Sequence, residues 1–413
     1  MNLEYFIAKR LIKGKEHKIS ISAPIIKIAI AAIALGLIMM LVAIASSEGL
    51  KLKIREKVSA FNGHIQITNY DNNFSDVSVA PVSSKQDFYP NFTSVEGIEH
   101  IQAVATKAGI IRTEETFEGI IAKGIGPDYN WKVFEEYIVE GRLPEYSGEL
   151  NNEVLISGLT ANRLNLKIGD FFNTFFLKDG DASQMPNQRR FEIVGIYDSG
   201  FEEIDALYIF IDVRHIQRMN KWDDDQIGKF EVFLTDFDAM QQKENEIRGK
   251  IVATLDTQTI RQKYYKIFEW IGLFDFNVAI IIGIMIIVGG INMITALLVL
   301  ILERTQMIGI LKALGTPNWS IRKVFLYNAA YLIAIGLLWG NVIGLGFIWL
   351  QNKFKIFKFP NPEEYYIDYI PVHITMPTVV LLNIGVLILC LLMLLVPSYI
   401  VTKITPVKAM KFE

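Results

Sequence analysis

Four stretches of this chain, residues 25–46, 270–302, 324–350 and 374–401, are apolar over membrane-crossing lengths, and a polar segment, 47–269, separates the first from the second. A bilayer core of about 30 Å takes about 20 helical residues to cross, so each stretch suffices. The order predicts one helix entering the membrane, a domain folded outside it, and three helices returning. Hydrophobic residues make up 51% of the 413, yet 21% are charged, and only segregation reconciles the two. Segment 47–269 carries charge throughout, and about 220 residues can bury a core of their own, in one unit or two.

The first stretch shares one trait with a signal peptide: Ala43-Ile44-Ala45 has the small-residue spacing of a cleavage site. Its apolar run exceeds the about 7–15 residues of such peptides and follows a leader, so a retained anchor is expected. The single cysteine, Cys390, falls in the fourth stretch, which rules out a disulfide within the chain. A net charge of −3 argues against a nucleic-acid partner.

Charge sets the orientation. The leader, 1–24, carries Lys9, Arg10, Lys13, Lys15 and Lys18 against Glu4 and Glu16. The connector 303–323 carries Arg304, Lys312, Arg322 and Lys323, and the tail, 402–413, carries Lys403, Lys408 and Lys411. Short positive segments stay in the cytoplasm, and four spans put all three there. Lys51, Lys53, Arg55 and Lys57 follow the first span, but long domains translocate largely regardless of charge. In loop 351–373, Lys353, Lys355 and Lys358 are balanced by Glu363, Glu364 and Asp368. Segment 47–269 is thus expected outside the cytoplasm.

Within the leader, Leu3, Phe6, Ile7 and Leu11 share one helical face, the pattern of a helix lying on the inner membrane surface. After the first span, 47–60 reads as continued helix. Residues 64–68 alternate as a strand, 95–125 as short strands separated by turns, and 151–170 as strand, helix and turn. Residues 171–178, 190–198, 206–211 and 229–235 read as strands, and 213–221 and 237–248 as helices. The outer domain is therefore mixed α and β. In the third span, Gly336, Gly340 and Gly344 line one face and predict a closely packed neighbouring helix. Ala279 and Gly283 repeat this in the second. Ionisable residues are almost absent from the spans, with Lys27 near an end, which argues against a proton or ion pathway.

The chemistry of an enzyme is missing. No G-x-x-x-x-G-K-[ST] is present, so no P-loop binds nucleotide. His17, His64, His100, His215 and His373 have no metal-ligand spacing. Asp223-Asp224-Asp225 reads as a solvated turn. No catalytic residue, metal or cofactor is expected in this chain.

The connector reads ERTQMIGILKALGTPNWSIRK. Met307, Ile308, Ile310, Leu311 and Leu314 form an apolar face, Glu303, Arg304 and Lys312 add charge, and Gly315-Thr316-Pro317 breaks the helix. A short amphipathic helix along the cytoplasmic surface is expected. Its pattern resembles the ERxxEIGILKALGA motif of permeases in the MacB/FtsX/Lol superfamily of ABC transporters. The opening FIAKRLIKGK is similar to the start of LolC/LolE proteins. Residues 140–170 (EGRLPEYSGELNNEVLISGLTANRLNLKIGD) and 191–212 (FEIVGIYDSGFEEIDALYIFID), and the closing PSYIVTKITPVKAMKFE, also follow the family pattern in order.

The resemblance implies a LolC/LolE-type permease with four transmembrane helices and a MacB-like α/β periplasmic domain, in a bacterial inner membrane. It would extract lipoproteins from that membrane and pass them to a LolA-like periplasmic carrier. ATP and Mg would be bound by LolD-like ATPase subunits, with a second permease copy or a LolC/LolE-like sister completing the assembly among membrane lipids. In such permeases the connector is the ATPase-coupling helix, which here comprises Glu303, Arg304, Met307, Ile308, Gly309, Ile310, Leu311, Lys312 and Gly315. Alternatives are a MacB-like exporter permease or an FtsX-like regulator of a periplasmic hydrolase. The missing fused ATPase domain and the size of the outer domain favour LolC/LolE.

Two more sites are expected. The stretch 178–191 (KDGDASQMPNQRRF) corresponds to the hook hairpin that recruits the carrier in LolC. Its tip, 179–189, exceeds a tight turn, and Met185, Pro186, Gln188, Arg189 and Arg190 are the candidate contacts. Met39, Met40 and Ile44 of the first span, with Ile271, Phe274 and Phe276 of the second, are candidates for an apolar lipid slot, where methionine adapts its shape.

Overall fold

The computed structural model describes residues 3–13, 22–114, 116–177, 185–360 and 369–403. Lys15, Glu16, His17, Lys18, the hairpin tip at 179–184, Glu363, Glu364, Asp368, Lys408 and Lys411 lie outside them. The chain packs as two units. The described part of the helical unit comprises residues 3–13, 22–52, 270–358 and 369–403. The outer unit is centred on 53–269.

Two helices come first, α1 (Leu3–Lys13) and α2 (Ser22–Asn62). α2 continues past the expected end of the first span because no proline or helix-ending turn interrupts it before Gly63. There φ is +67°, a conformation that glycine adopts without a Cβ penalty. The outer unit then runs β1 (Ile65–Asn69), β2 (Val82–Ser83), β3 (Ile98–Arg112), β4 (Phe117–Ile125), β5 (Ile138–Gly141), β6 (Glu153–Ser157), α3 (Gly158–Leu164), β7 (Phe171–Phe176), β8 (Asn187–Tyr197), α4 (Glu202–Asp205), β9 (Tyr208–Asp212), α5 (Val213–Asn220), β10 (Gln226–Ile227), β11 (Lys229–Leu234), α6 (Met240–Arg248), β12 (Leu255–Thr259) and α7 (Ile260–Lys263). The remaining helices are α8 (Tyr265–Glu303), α9 (Thr305–Ala313), α10 (Asn318–Phe354), α11 (Met376–Ser398) and α12 (Ile400–Lys403).

The main sheet has the order β12-β1-β11-β3-β4-β9-β6-β8-β5, with β7 paired to β3 and β8. β4–β9 and β6–β8 are parallel, the other pairs antiparallel. Where short strands are expected over 95–125, the chain forms one long hairpin. β3 and β4 pair from Val104↔Ile125 to Arg112↔Phe117, and the turn closes through Thr113, whose N–H and Oγ1 both donate to Thr116 O. β5 and β12 have no counterpart in the sequence reading. They are short strands held at the sheet edges by long-range pairing.

One core of the outer unit is aromatic. Phe61, at the end of α2, meets Phe134 at 4.8 Å, Tyr137 at 5.4 Å and Tyr197 at 5.7 Å between ring centres. Beside it lies a buried ion pair: Lys123 Nζ donates to both oxygens of Glu231, at 2.7 and 2.9 Å, and to Phe61 O. Gln102 Nε2 also donates to Glu231, so the carboxylate is satisfied away from water. The Asp223–Asp225 turn is closed by Lys85, 3.0 Å from Asp225.

In the helical unit, α10 carries Gly336, Gly340 and Gly344 against Ile33, Leu37 and Leu41 of α2, the close approach that the glycine spacing predicts. Asn341 and Asn383 exchange amide hydrogen bonds at 2.7 and 3.0 Å, tying α10 to α11. α1 packs on α10. Tyr5 meets Tyr327 edge-on at 6.2 Å, Glu4 lies 3.9 Å from Lys323, and Ala8 is buried. The leader helix thus turns Ala8 toward protein, whereas the expected membrane-facing Phe6 is exposed.

Candidate functional site

The connector differs from expectation in extent. α8 ends at Glu303, Arg304 departs from helical geometry, and α9 begins at Thr305. Thr305 Oγ1 donates to Leu302 O at 2.6 Å and occupies a carbonyl that the ending helix leaves open. α9 stops at Gly315, whose φ of +85° places it in the left-handed region. Its N–H donates to Lys312 O, and Thr316 N–H to Leu311 O, closing the last turn. Pro317 then caps α10, whose helix starts at Asn318, ahead of the apolar run that begins at 324.

The nine connector residues fall into three environments. Ile308 and Gly309 are buried. Arg304, Met307 and Leu311 are half-buried, and the latter two pack on the helical core. Lys312 is tied inward: its Nζ donates to Val401 O at 2.7 Å and Thr402 O at 3.2 Å, the last carbonyls of the fourth span, where a cation is favourable. Desolvation among these groups lowers the Lys312 pKa. Glu303, Ile310 and Gly315 are exposed, and so are Gln306, Ala313 and Leu314, which the nine leave out. Ile310 and Leu314, one turn apart, form an apolar stripe open to a partner. Just beyond it, Arg322 of α10 donates to Ser398 Oγ and Leu395 O and lies near the Trp319 and Tyr399 rings, tying the start of α10 to the end of α11.

At the hairpin, Gln188 and Arg189 belong to β8 rather than to the tip, as Arg190 does by expectation, because β7 continues to pair with that strand up to Phe176↔Asn187. Arg190 stacks on Phe171 at 4.7 Å. Met185, 86% exposed, and Pro186 project beyond the pairing.

The six slot residues do not share one surface. Met40 is buried with Leu37 and Leu41 in the helical core, because position 40 repeats the face that meets the other helices. Ile271 is also buried, Ile44 and Phe274 are half-buried, and Met39 and Phe276 are exposed. Of the six, only Met39 and Phe276 are open on the surface of the chain, whereas Met40 and Ile271 are turned inward. Among the described residues no cluster of His, Cys, Asp or Glu could hold a metal ion.

Comparison with known proteins accounts for both halves. A family described as MacB-like periplasmic core domain matches residues 28–250, and one described as FtsX-like permease C-terminal matches 279–406. The lipoprotein-releasing system transmembrane protein LolC of Neisseria meningitidis serogroup B is 24% identical over 431 residues, covering 100% of both chains. LolC of Xylella fastidiosa Temecula1 is 21% identical, covering 92% of each, and LolE of Haemophilus influenzae is 21% identical, covering 99% of each. With an α/β domain between its first two membrane helices and an FtsX-like half behind it, this chain belongs to the MacB/FtsX family of ABC transporter permeases, as a LolC/LolE-type member.

Proposed function

We propose that this chain is the permease of a lipoprotein-releasing transporter in a bacterial inner membrane. It draws lipoproteins out of the outer leaflet and hands them to a LolA-like carrier, driven by ATP and Mg bound to separate LolD-like subunits. The reading is carried by similarity to LolC and LolE proteins along the entire chain, across the outer domain and the spans alike. The exposed Ile310–Leu314 stripe on α9 supports it by offering an ATPase subunit an apolar ridge on a helix held by the buried Ile308 and by Lys312.

The energetics require such a motor. Each buried CH₂ of an acyl chain holds a lipoprotein in the bilayer by about 0.8 kcal/mol, so extraction needs both nucleotide energy and another apolar surface to receive the tails. Two permeases, as copies or as sisters, complete the path that four spans leave open.

Mass spectrometry of the complex purified from its own membranes tests this. An acylated lipoprotein and a separate ATPase are expected with the chain. A wall hydrolase or an outer-membrane channel in their place overturns the assignment.

A further inference from the structure

Where the first two spans leave the hydrocarbon, one cation is shared between them. Lys51 follows the apolar run of α2, and its side chain is only 9% exposed. Its Nζ donates to Asp275 Oδ1 on α8 at 2.6 Å and to Glu48 Oε1, one turn back on α2, at 2.7 Å. Asp275 lies between Phe274 and Phe276, and its side chain is 63% exposed. At the same level α2 is gripped by the segment that precedes α11. A Cβ at Gly49 would stand 2.5 Å from Pro371 O, and His373 N–H donates to Ala45 O at 2.8 Å.

We propose that Lys51 and Asp275 are a latch between the first and second spans, which opens in each transport cycle so that α2 and α8 part at the outer leaflet for an acylated substrate. The latch rests on the lipoprotein-releasing reading above. The unequal partners make the physical case. A cation held out of water and stripped of its counter-charge is costly, so a solitary Lys51–Asp275 bridge would resist opening. Glu48 removes that resistance. It sits at i−3 on the same helix and keeps Lys51 paired when Asp275 departs. Asp275 is already in water and stays hydrated on release. The contact fixes the closed register yet opens without stranding a charge, as an element with two accessible states requires. Opening moves α8 rather than α2. α2 is bound to the 371–373 segment at Gly49 and to α10 along the seam of Gly336, Gly340 and Gly344.

Two measurements on the full complex with its ATPase in lipid nanodiscs test the latch. Spin labels at Leu52 and Phe276, both exposed, leave the ion pair intact. Their separation is expected to lengthen in one nucleotide state, and the same separation in the nucleotide-free, ATP-bound and vanadate-trapped states overturns the proposal. In a K51C/D275C variant, a bis-methanethiosulfonate reagent bridges the two helices through two mixed disulfides, with methanesulfinate as the leaving group, while the native Cys390 is buried. Lipoprotein release should fall by about tenfold, as for a blocked gating step, and return on reduction. Release that survives the bridge overturns the latch. If the label separation follows nucleotide but the unbridged complex discharges no lipoprotein, the latch stands and the substrate assignment falls.

Discussion

Leu37 lies so close to Gly340 that a Cβ on the glycine would stand 2.9 Å from the leucine's own Cβ and 3.0 Å from Ala34 O. One of those neighbours is helix backbone, which cannot swing aside. Gly340→Ala must therefore push α10 away from α2, at the about 1–3 kcal/mol typical of overpacking. The thermal midpoint of the detergent-purified chain should drop by several degrees. Gly346 has open space around it, so Gly346→Ala is the matched control and should leave the midpoint unchanged. Equal midpoints for the two variants would show that the seam is loose.

The connector predicts a split between partner binding and folding. Ile310 and Leu314 are exposed, so Ile310→Asp and Leu314→Asp leave the fold intact. Each should weaken capture of the ATPase subunit by about tenfold, as loss of one apolar anchor does. Ile308→Ala empties a buried site instead and should lower thermal stability, by the about 2–5 kcal/mol of such truncations. Co-purification and melting curves separate the two effects. Undiminished capture by Leu314→Asp would remove the stripe from the ATPase contact.

How much of this was readable in advance depended on how local the signal was. The four spans rest on apolar length, and the connector's end on Gly315-Thr316-Pro317. The glycine seam rests on a spacing of four within one helix. All are written in consecutive residues. β5 and β12 form only because β8 and β1 lie beside them, which no window of sequence contains. The division among the six slot residues has a related reason. Met39 and Met40 are alike in composition, but one is exposed and the other buried, and a helix that is apolar all round does not announce which face meets protein. In α1 the apolar stripe alone does not show that Ala8, the smallest side chain in its middle, turns toward protein while Phe6 stays exposed.

The hairpin can be probed without disturbing the sheet. Met185 lies beyond the β7–β8 pairing and is almost fully exposed. Met185→Glu should reduce retention of the periplasmic carrier by about tenfold, through loss of an apolar anchor. Val139→Glu, at an exposed position on β5, should have no effect. Pull-down of the carrier with each variant gives the comparison, and equal retention would reject the hairpin as its docking site.

Two desolvated titrating groups in the outer unit oppose one another. His64 is desolvated, which lowers its pKa to about 4, and its Nδ1 accepts from Leu234 N–H at 2.9 Å. The unfolded chain takes up a proton near pH 6.5 that the folded one refuses until about pH 4, so this group makes stability fall on acidification across that window. Asp205 behaves in the opposite sense. Burial raises its carboxyl to about 6, with Asp198 adding to the effect, although the N–H groups of Ser199 and Gly200 donate to it. The folded chain then binds a proton from about pH 6 downward that the unfolded one takes only near 3.9, and stability rises on acidification. Each effect amounts to about 3 kcal/mol, so between pH 4 and 6 they nearly cancel. His215 is also held below the usual imidazole range by burial and adds to the His64 side of the balance, so the readout is the change in slope between each variant and the parent chain in denaturant unfolding of the outer unit. His64→Asn keeps an acceptor for Leu234 but cannot titrate, and it should tilt the slope toward greater stability as pH falls from 6 to 4. Asp205→Asn should tilt it the other way. Changes of the same sign in the two variants would contradict the opposed titration of these groups.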